Sequence, residues 1–220
     1  MRIHETSRTD EVRVDERSAL IVVDVQNSFV AGGTLAVPRG AEVVPVINRI
    51  SPHFFNVVLT QDWHPADHES FASQHAGRLP YETLELPYGP QVLWPDHCVM
   101  GTEGADLVAG LDITRVQLVV RKGFHRGVDS YSAFTEADRK TATGLKGYLV
   151  ERQIDRLFVC GLATDFCVAW TAIDACAAGF ETFVIEDACR AIDLEGSLAA
   201  AWTAMTAAGV RRIEEADILR

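Results

Sequence analysis

Five short runs of apolar and β-branched residues constrain this chain more than any other feature. They are ALIVVD at 19–24, NVVLT at 56–60, VQLVV at 116–120, RLFVC at 156–160 and TFVI at 182–185. The runs are nearly continuous rather than alternating, which is the pattern of strands covered on both faces. Longer amphipathic stretches at 40–50, 142–153, 165–178 and 194–208 read as helices, and a last short strand is predicted at 210–213. Strand and helix in alternation predict an α/β fold, a three-layer α/β/α sandwich around a mostly parallel central sheet. At 220 residues the chain is long enough for one well-filled domain, placed at 17–220. The preceding arm at 1–16, MRIHETSRTDEVRVDE, is polar and lacks the apolar centre of a secretory signal.

Charge and cysteine usage narrow the partners. A net charge of −11 repels phosphate backbones and anionic lipid, so neither nucleic acid nor a membrane surface is expected as a partner. No stretch approaches the roughly 18 apolar residues of a membrane span. Five cysteines form an odd set without CxxC spacing, which fits a reduced, cytoplasmic protein better than a disulfide scaffold. A homo-oligomer is compatible with the sequence, which does not set its order.

In open α/β sheets ligands bind beyond the carboxyl ends of the strands. Read to their ends, the predicted strands deliver Asp24, then Gln61-Asp62-Trp63-His64, then Arg121-Lys122-Gly123, then Gly161 leading to Cys167. An acid, a pair of metal-ligand types, a cation and a thiol thus fall at successive strand ends. Cys167 follows Thr164 and Asp165, both good N-cap types, which predicts a thiol in the first turn of a helix. There the helix dipole and Lys122 are expected to lower its pKa, with Asp24 as the proton acceptor. Cys160 lies within an apolar run, and Cys176 falls about 180° round the helix from Cys167. Those two, with Cys98 and Cys189, read as packing residues.

A second constellation lies in QDWHPADHESFAS and WPDHC, within a stretch at 62–110 that shows little periodicity. Connections of that length inside a compact domain tend to be functional. Asp62 and His64 alternate along an extended segment and can face one side. His97 and His68 extend them to a set of N and O donors suited to a divalent transition metal, with Ser70 as the alternative to His68. The bland alternative is a solvated polar loop. Phe29, Trp94 and Tyr131 stand close to the polar positions and suit either a flat ligand or the plain core. Phosphate-loop, dinucleotide and serine-elbow motifs are all absent.

These segments together resemble the nicotinamidases (pyrazinamidases) of the isochorismatase-like cysteine hydrolase superfamily. The resemblance runs from 19 to about 213. It is carried by VDVQNSFVAGGTLAVPRG, TQDWHPADHESFAS, LWPDHCVMGTEGADL, RKGFHRGVDSYSAF and VCGLATDFCVAWTAIDA, in that order. It implies the isochorismatase-like hydrolase fold and hydrolysis of nicotinamide, and of pyrazinamide, through a cysteine thioester. Asp24, Lys122 and Cys167 would be the catalytic triad, and Phe29, Trp94 and Tyr131 would hold the ring. Asp62, His64 and His97, with His68 or Ser70 nearby, would bind one divalent ion, zinc first and iron or manganese as alternatives. A cis peptide between Leu162 and Ala163 is also implied, with the Ala163 and Cys167 amides as an oxyanion hole. Ser28 departs from the family, where Asp is usual, and a tuning effect is expected. The rival readings are a relative acting on another small amide, a metallohydrolase with Cys167 structural, and a binding protein without catalysis.

Overall fold

The computed structural model describes residues 12–219. In chain order its main elements are β1 (Ser18–Val23), α1 (Val43–Ile50), β2 (Asn56–Asp62), β3 (Thr83–Leu86), β4 (Gly89–Val92), β5 (Val116–Lys122), α2 (Leu145–Glu151), β6 (Arg156–Leu162), α3 (Ala169–Ala177), β7 (Glu181–Arg190), α4 (Ser197–Ala207), β8 (Arg211–Ile213) and α5 (Glu215–Ile218). Six strands form one sheet in the order β5-β2-β1-β6-β7-β8, and every ladder in it is parallel. All residues of β1 and β2 are buried, as continuous apolar runs require. β5 alternates between exposed and covered positions because it lies at the sheet edge.

The strand order decides where chemistry can happen. From β1 the chain steps outward through β2 to β5, then crosses to β6 and steps outward the other way to β8. Right-handed crossovers therefore put α1 on one face and α2, α3 and α4 on the other. Accordingly α1 packs with α5 against β7, while α3 packs against β6 and β7 and against α4. The direction of winding reverses between β1 and β6, and that crevice is the ligand site of such sheets. Gly161 tightens it: at φ 116°, a Cβ there would lie 2.1 Å from the Val23 carbonyl oxygen.

Several elements differ from the sequence expectation. β2, β5, β6 and β7 all run beyond their apolar runs because the parallel ladder continues there; β2, β5 and β7 end on polar residues and β6 on Leu162, just before the cleft residue Ala163. The stretch at 62–110 contains an antiparallel hairpin, β3 with β4, that its Pro- and Gly-bearing sequence conceals. α5 carries a capping box from Glu214 and Asp217. Of the predicted arm, residues 1–11 lie outside the described residues. Residues 12–16 are tied down: Val12 and Val14 pack on the core, and Arg156 donates to the Arg13 carbonyl at 3.0 Å.

Candidate active site

Lys122 organises the crevice. It ends β5, and its ammonium is fully buried. Nζ pairs with Asp24 Oδ2 at 2.8 Å and with Asp62 Oδ1 at shorter range, donates to the Ser130 carbonyl at 2.8 Å, and donates to Cys167 Sγ at 3.4 Å. A buried ammonium needs such partners, since burial alone favours its neutral form. Here the two carboxylates outweigh burial and hold Lys122 well above the ordinary lysine value.

Asp24 follows β1 directly, with a φ of 49°. Thr60 anchors it twice: the hydroxyl donates to Oδ1 at 2.5 Å, and the Asp24 amide donates to the hydroxyl oxygen at 3.1 Å. Oδ2 accepts no well-angled hydrogen bond among the described residues, although Lys122 lies beside it. Burial raises the Asp24 pKa above the usual carboxylate range, against the pull of Lys122. Asp62 moves the opposite way: Lys122 and His64 overcome burial and hold it well below that range.

Cys167 corrects two expectations. It lies in a π-helical turn, Thr164–Val168, that precedes α3, and Ala163 rather than a polar residue occupies the cap position. Neither Thr164 nor Asp165 caps the turn by its side chain. The thiol is not acidified: burial pushes its pKa well above the ordinary cysteine value, Lys122 pulls it down, and Asp24 and Asp62 push it up again. The thiol therefore stands between a carboxylate that can accept its proton and an ammonium 3.4 Å from the sulfur. One carboxylate oxygen each of Asp24 and Asp62 and the Cys167 sulfur all lie within 4.8 Å of one another. The peptide between Leu162 and Ala163 is cis. All five cysteines are free, and Cys98, Cys160 and Cys189 are buried.

Next to this cluster Asp62, His64 and His97 form a donor set for a metal ion. His64 Nδ1 donates to the Gly123 carbonyl and His97 Nδ1 to the Pro95 carbonyl, each at 2.8 Å. Both rings thus present Nε2 as the lone-pair nitrogen, and these atoms lie 3.7 and 3.8 Å from Asp62 Oδ2. Backbone carbonyls behind the ligating rings and one carboxylate between them are the features of a transition-metal site. The residues present fit such an ion.

His68 does not join this set. The Ser70 amide donates to His68 Nδ1, the Ser70 hydroxyl lies 2.8 Å from the same atom, and Nε2 donates to the Val128 carbonyl. Both ring nitrogens are spent within the protein, and burial lowers its pKa to about 4. His68 instead packs against the His64 ring at 4.3 Å between centroids. Of the two alternatives, Ser70 is also engaged, through that same contact.

A cleft opens onto both clusters. Phe29, Trp94 and Tyr131 all line it, together with Asp62, His97, Ala163 and Cys167. Trp94 donates to the Tyr131 hydroxyl at 2.9 Å and meets Phe166 edge-on at 4.9 Å. Leu35, Phe166, Ile192 and Asp129 also line the cleft. Ile192 lies just past the end of β7, where the strand-end rule reaches it, and Phe166 adjoins Cys167; for Asp129 and Leu35 no local signal exists. Ser28, the departure from the family, accepts the Cys98 amide at 3.0 Å and so braces the segment that carries His97.

Comparison with known proteins places this geometry. The Isochorismatase domain profile matches residues 18–217. A nicotinamidase of Acinetobacter baylyi is 60% identical over 201 residues, covering 91% of this chain and 94% of that protein. A solved nicotinamidase and pyrazinamidase structure from Acinetobacter baumanii superposes with a TM-score of 0.92 at 57% identity, covering 94% of this chain and all of that one, 100%. The pyrazinamidase of Pyrococcus horikoshii, solved in complex with zinc, superposes with a TM-score of 0.72 at 31% identity, covering 90% and 99% of the two chains. The chain belongs to the isochorismatase family of hydrolases.

Proposed function

We propose that this chain hydrolyses nicotinamide to nicotinate and ammonia, and acts on pyrazinamide, as a single catalytic domain over 17–220. The observation that carries the reading is the Lys122 ammonium, which is ion-paired at once with the acid Asp24 and the metal-set acid Asp62 and donates to the thiol of Cys167. With substrate in the cleft, the Cys167 proton passes to the Asp24 carboxylate, whose Oδ2 lies 2.8 Å from the Lys122 ammonium. Lys122, 3.4 Å from the sulfur, stabilises the thiolate as it forms. Sulfur attacks the carboxamide carbon, and the Ala163 and Cys167 amides receive the oxyanion. The intermediate collapses as Asp24 returns the proton to the departing nitrogen, which leaves a thioester and ammonia. Water that gives one proton to Asp24 then attacks the thioester, that proton returns to sulfur, and the acid departs and ionises to nicotinate in solvent.

Asp62, His64 and His97 would hold one divalent ion, with zinc the preferred identity. Such an ion would supply a Lewis acid able to take up a ring nitrogen, and its three protein ligands would hold it beside the cleft that Cys167 lines. Phe29, Trp94 and Tyr131 flank the ring. The free cysteines suit a reducing cytoplasmic setting, and no helix among the described residues is long and apolar enough to cross a membrane. Ammonia release from nicotinamide tests the reading. Cys167→Ala is expected to abolish release while the circular dichroism spectrum is retained, and undiminished turnover by that variant refutes the mechanism.

A further inference from the structure

The turn that carries Cys167 holds another buried carboxylate, which the chemistry above leaves unused. Asp165 is 6% exposed and does not cap the helix it precedes. Its Oδ1 accepts the Ile192 amide at 3.1 Å, and its Oδ2 accepts the Asp193 amide at 2.8 Å and the Ser197 hydroxyl at 2.5 Å. All three donors belong to one stretch, between the end of β7 and the first residue of α4. That stretch has an unfavourable backbone: Asp193 and Glu195 are both left-handed, at φ 56° and 51°. Non-glycine residues adopt such angles only where surrounding contacts hold them. Ile192 is the residue of this stretch that lines the same cleft as Cys167.

We infer that Asp165 is a positioning residue that pins the stretch 191–197 as one wall of the cleft, and that Ile192 on this wall determines how large a ring substituent the amide substrate can carry. The inference rests on the carboxamide-hydrolase reading above. An aliphatic wall selects by overlap, and a wall free to retreat selects nothing. Fixing it to the nucleophile's own turn keeps the distance from Ile192 to Cys167 constant. Because the two backbone donors and the hydroxyl meet on one carboxylate, its replacement releases both ends of the stretch together.

The test uses the full-length, metal-loaded protein with nicotinamide and its four ring-methylated isomers. In Ile192→Ala, kcat/KM for at least one methylated amide, relative to nicotinamide, is expected to rise about ten-fold or more, the scale of one methyl group in an apolar pocket. Asp165→Asn should move that ratio the same way and raise KM more than it lowers kcat. Ser197→Ala, a milder release, should do so to a smaller degree and serves if Asp165→Asn does not fold. Amide hydrogen exchange at Ile192 and Asp193, read without substrate, should accelerate in both pinning variants. Ratios that stay within roughly two-fold of wild type in Ile192→Ala, against that ten-fold scale, overturn the specificity role. Unchanged exchange at Ile192 and Asp193 overturns the pinning. Failure of the wild-type protein to release ammonia from nicotinamide overturns the functional reading alone, and the exchange result stands apart from it.

Discussion

The residue after the buried lysine offers a sharp test of how the metal set is held. Gly123 has a φ of 68°, and a Cβ placed on it would lie 2.5 Å from His64 Cε1 and 2.7 Å from His64 Nδ1. His64 has nowhere to retreat: His68, Phe71 and His97 surround its ring at 4.3, 5.5 and 4.9 Å between centroids. Gly123→Ala therefore combines a left-handed alanine, about 1–2 kcal/mol, with overpacking of a buried ring, about 1–3 kcal/mol. If His64 turns away, the bond from Nδ1 to the Gly123 carbonyl is also lost. A total of roughly 2–5 kcal/mol lowers Tm by roughly 4–20 °C for a chain of this size. Loss of an outer partner of a ligating histidine costs about 10–100-fold in metal affinity. Zinc affinity by chelator competition and thermal melts of the metal-free protein measure the two effects separately. A Gly123→Ala protein that binds zinc as tightly as wild type and melts at the same temperature refutes the account of both the glycine and the His64 anchor.

The same geometry yields two further expectations. Thr60→Val removes the hydroxyl that donates to Asp24 Oδ1, a bond that lowers the Asp24 pKa against burial. In the proposed mechanism Asp24 must be ionised to accept the thiol proton, so activity is expected to fall as pH drops through its pKa. The acid limb of kcat/KM should move to higher pH in Thr60→Val and return in Thr60→Ser; an unmoved limb would falsify the anchoring role. In the core, Phe158 lies fully buried between Phe54 and Phe183, at ring distances of 5.0 and 4.8 Å. Phe158→Ala should destabilise the protein by about 3–5 kcal/mol in urea unfolding, and a cost below about 1 kcal/mol would mean that the site collapses around the loss.

Much of the molecule is legible in the chain because burial on both faces leaves a local record. The apolar run at 19–24 can be satisfied only as a central strand, and its first polar residue, Asp24, marks the end where the backbone leaves the sheet. The same logic reaches Asp62 and Lys122, although their strands extend through the polar residues rather than stopping before them. The hairpin β3–β4 left no such record, since its strands are short and half-exposed and β4 opens on Gly and Pro.

What sequence alone determined is therefore the layer architecture and which residue types arrive at the carboxyl ends of the strands. Those follow from periodicity and backbone preference, which act over a few residues. Tertiary structure decided the rest. The strand order set β1 beside β6 and gathered Asp24, Asp62 and Cys167 around one buried ammonium, and that environment reversed the expected thiol acidity. It also spent both nitrogens of His68 on Ser70 and Val128, and gave Asp165 to a distant stretch instead of its own helix. A side chain's partners and its proton affinity depend on distances across the sheet, and no local pattern encodes those distances.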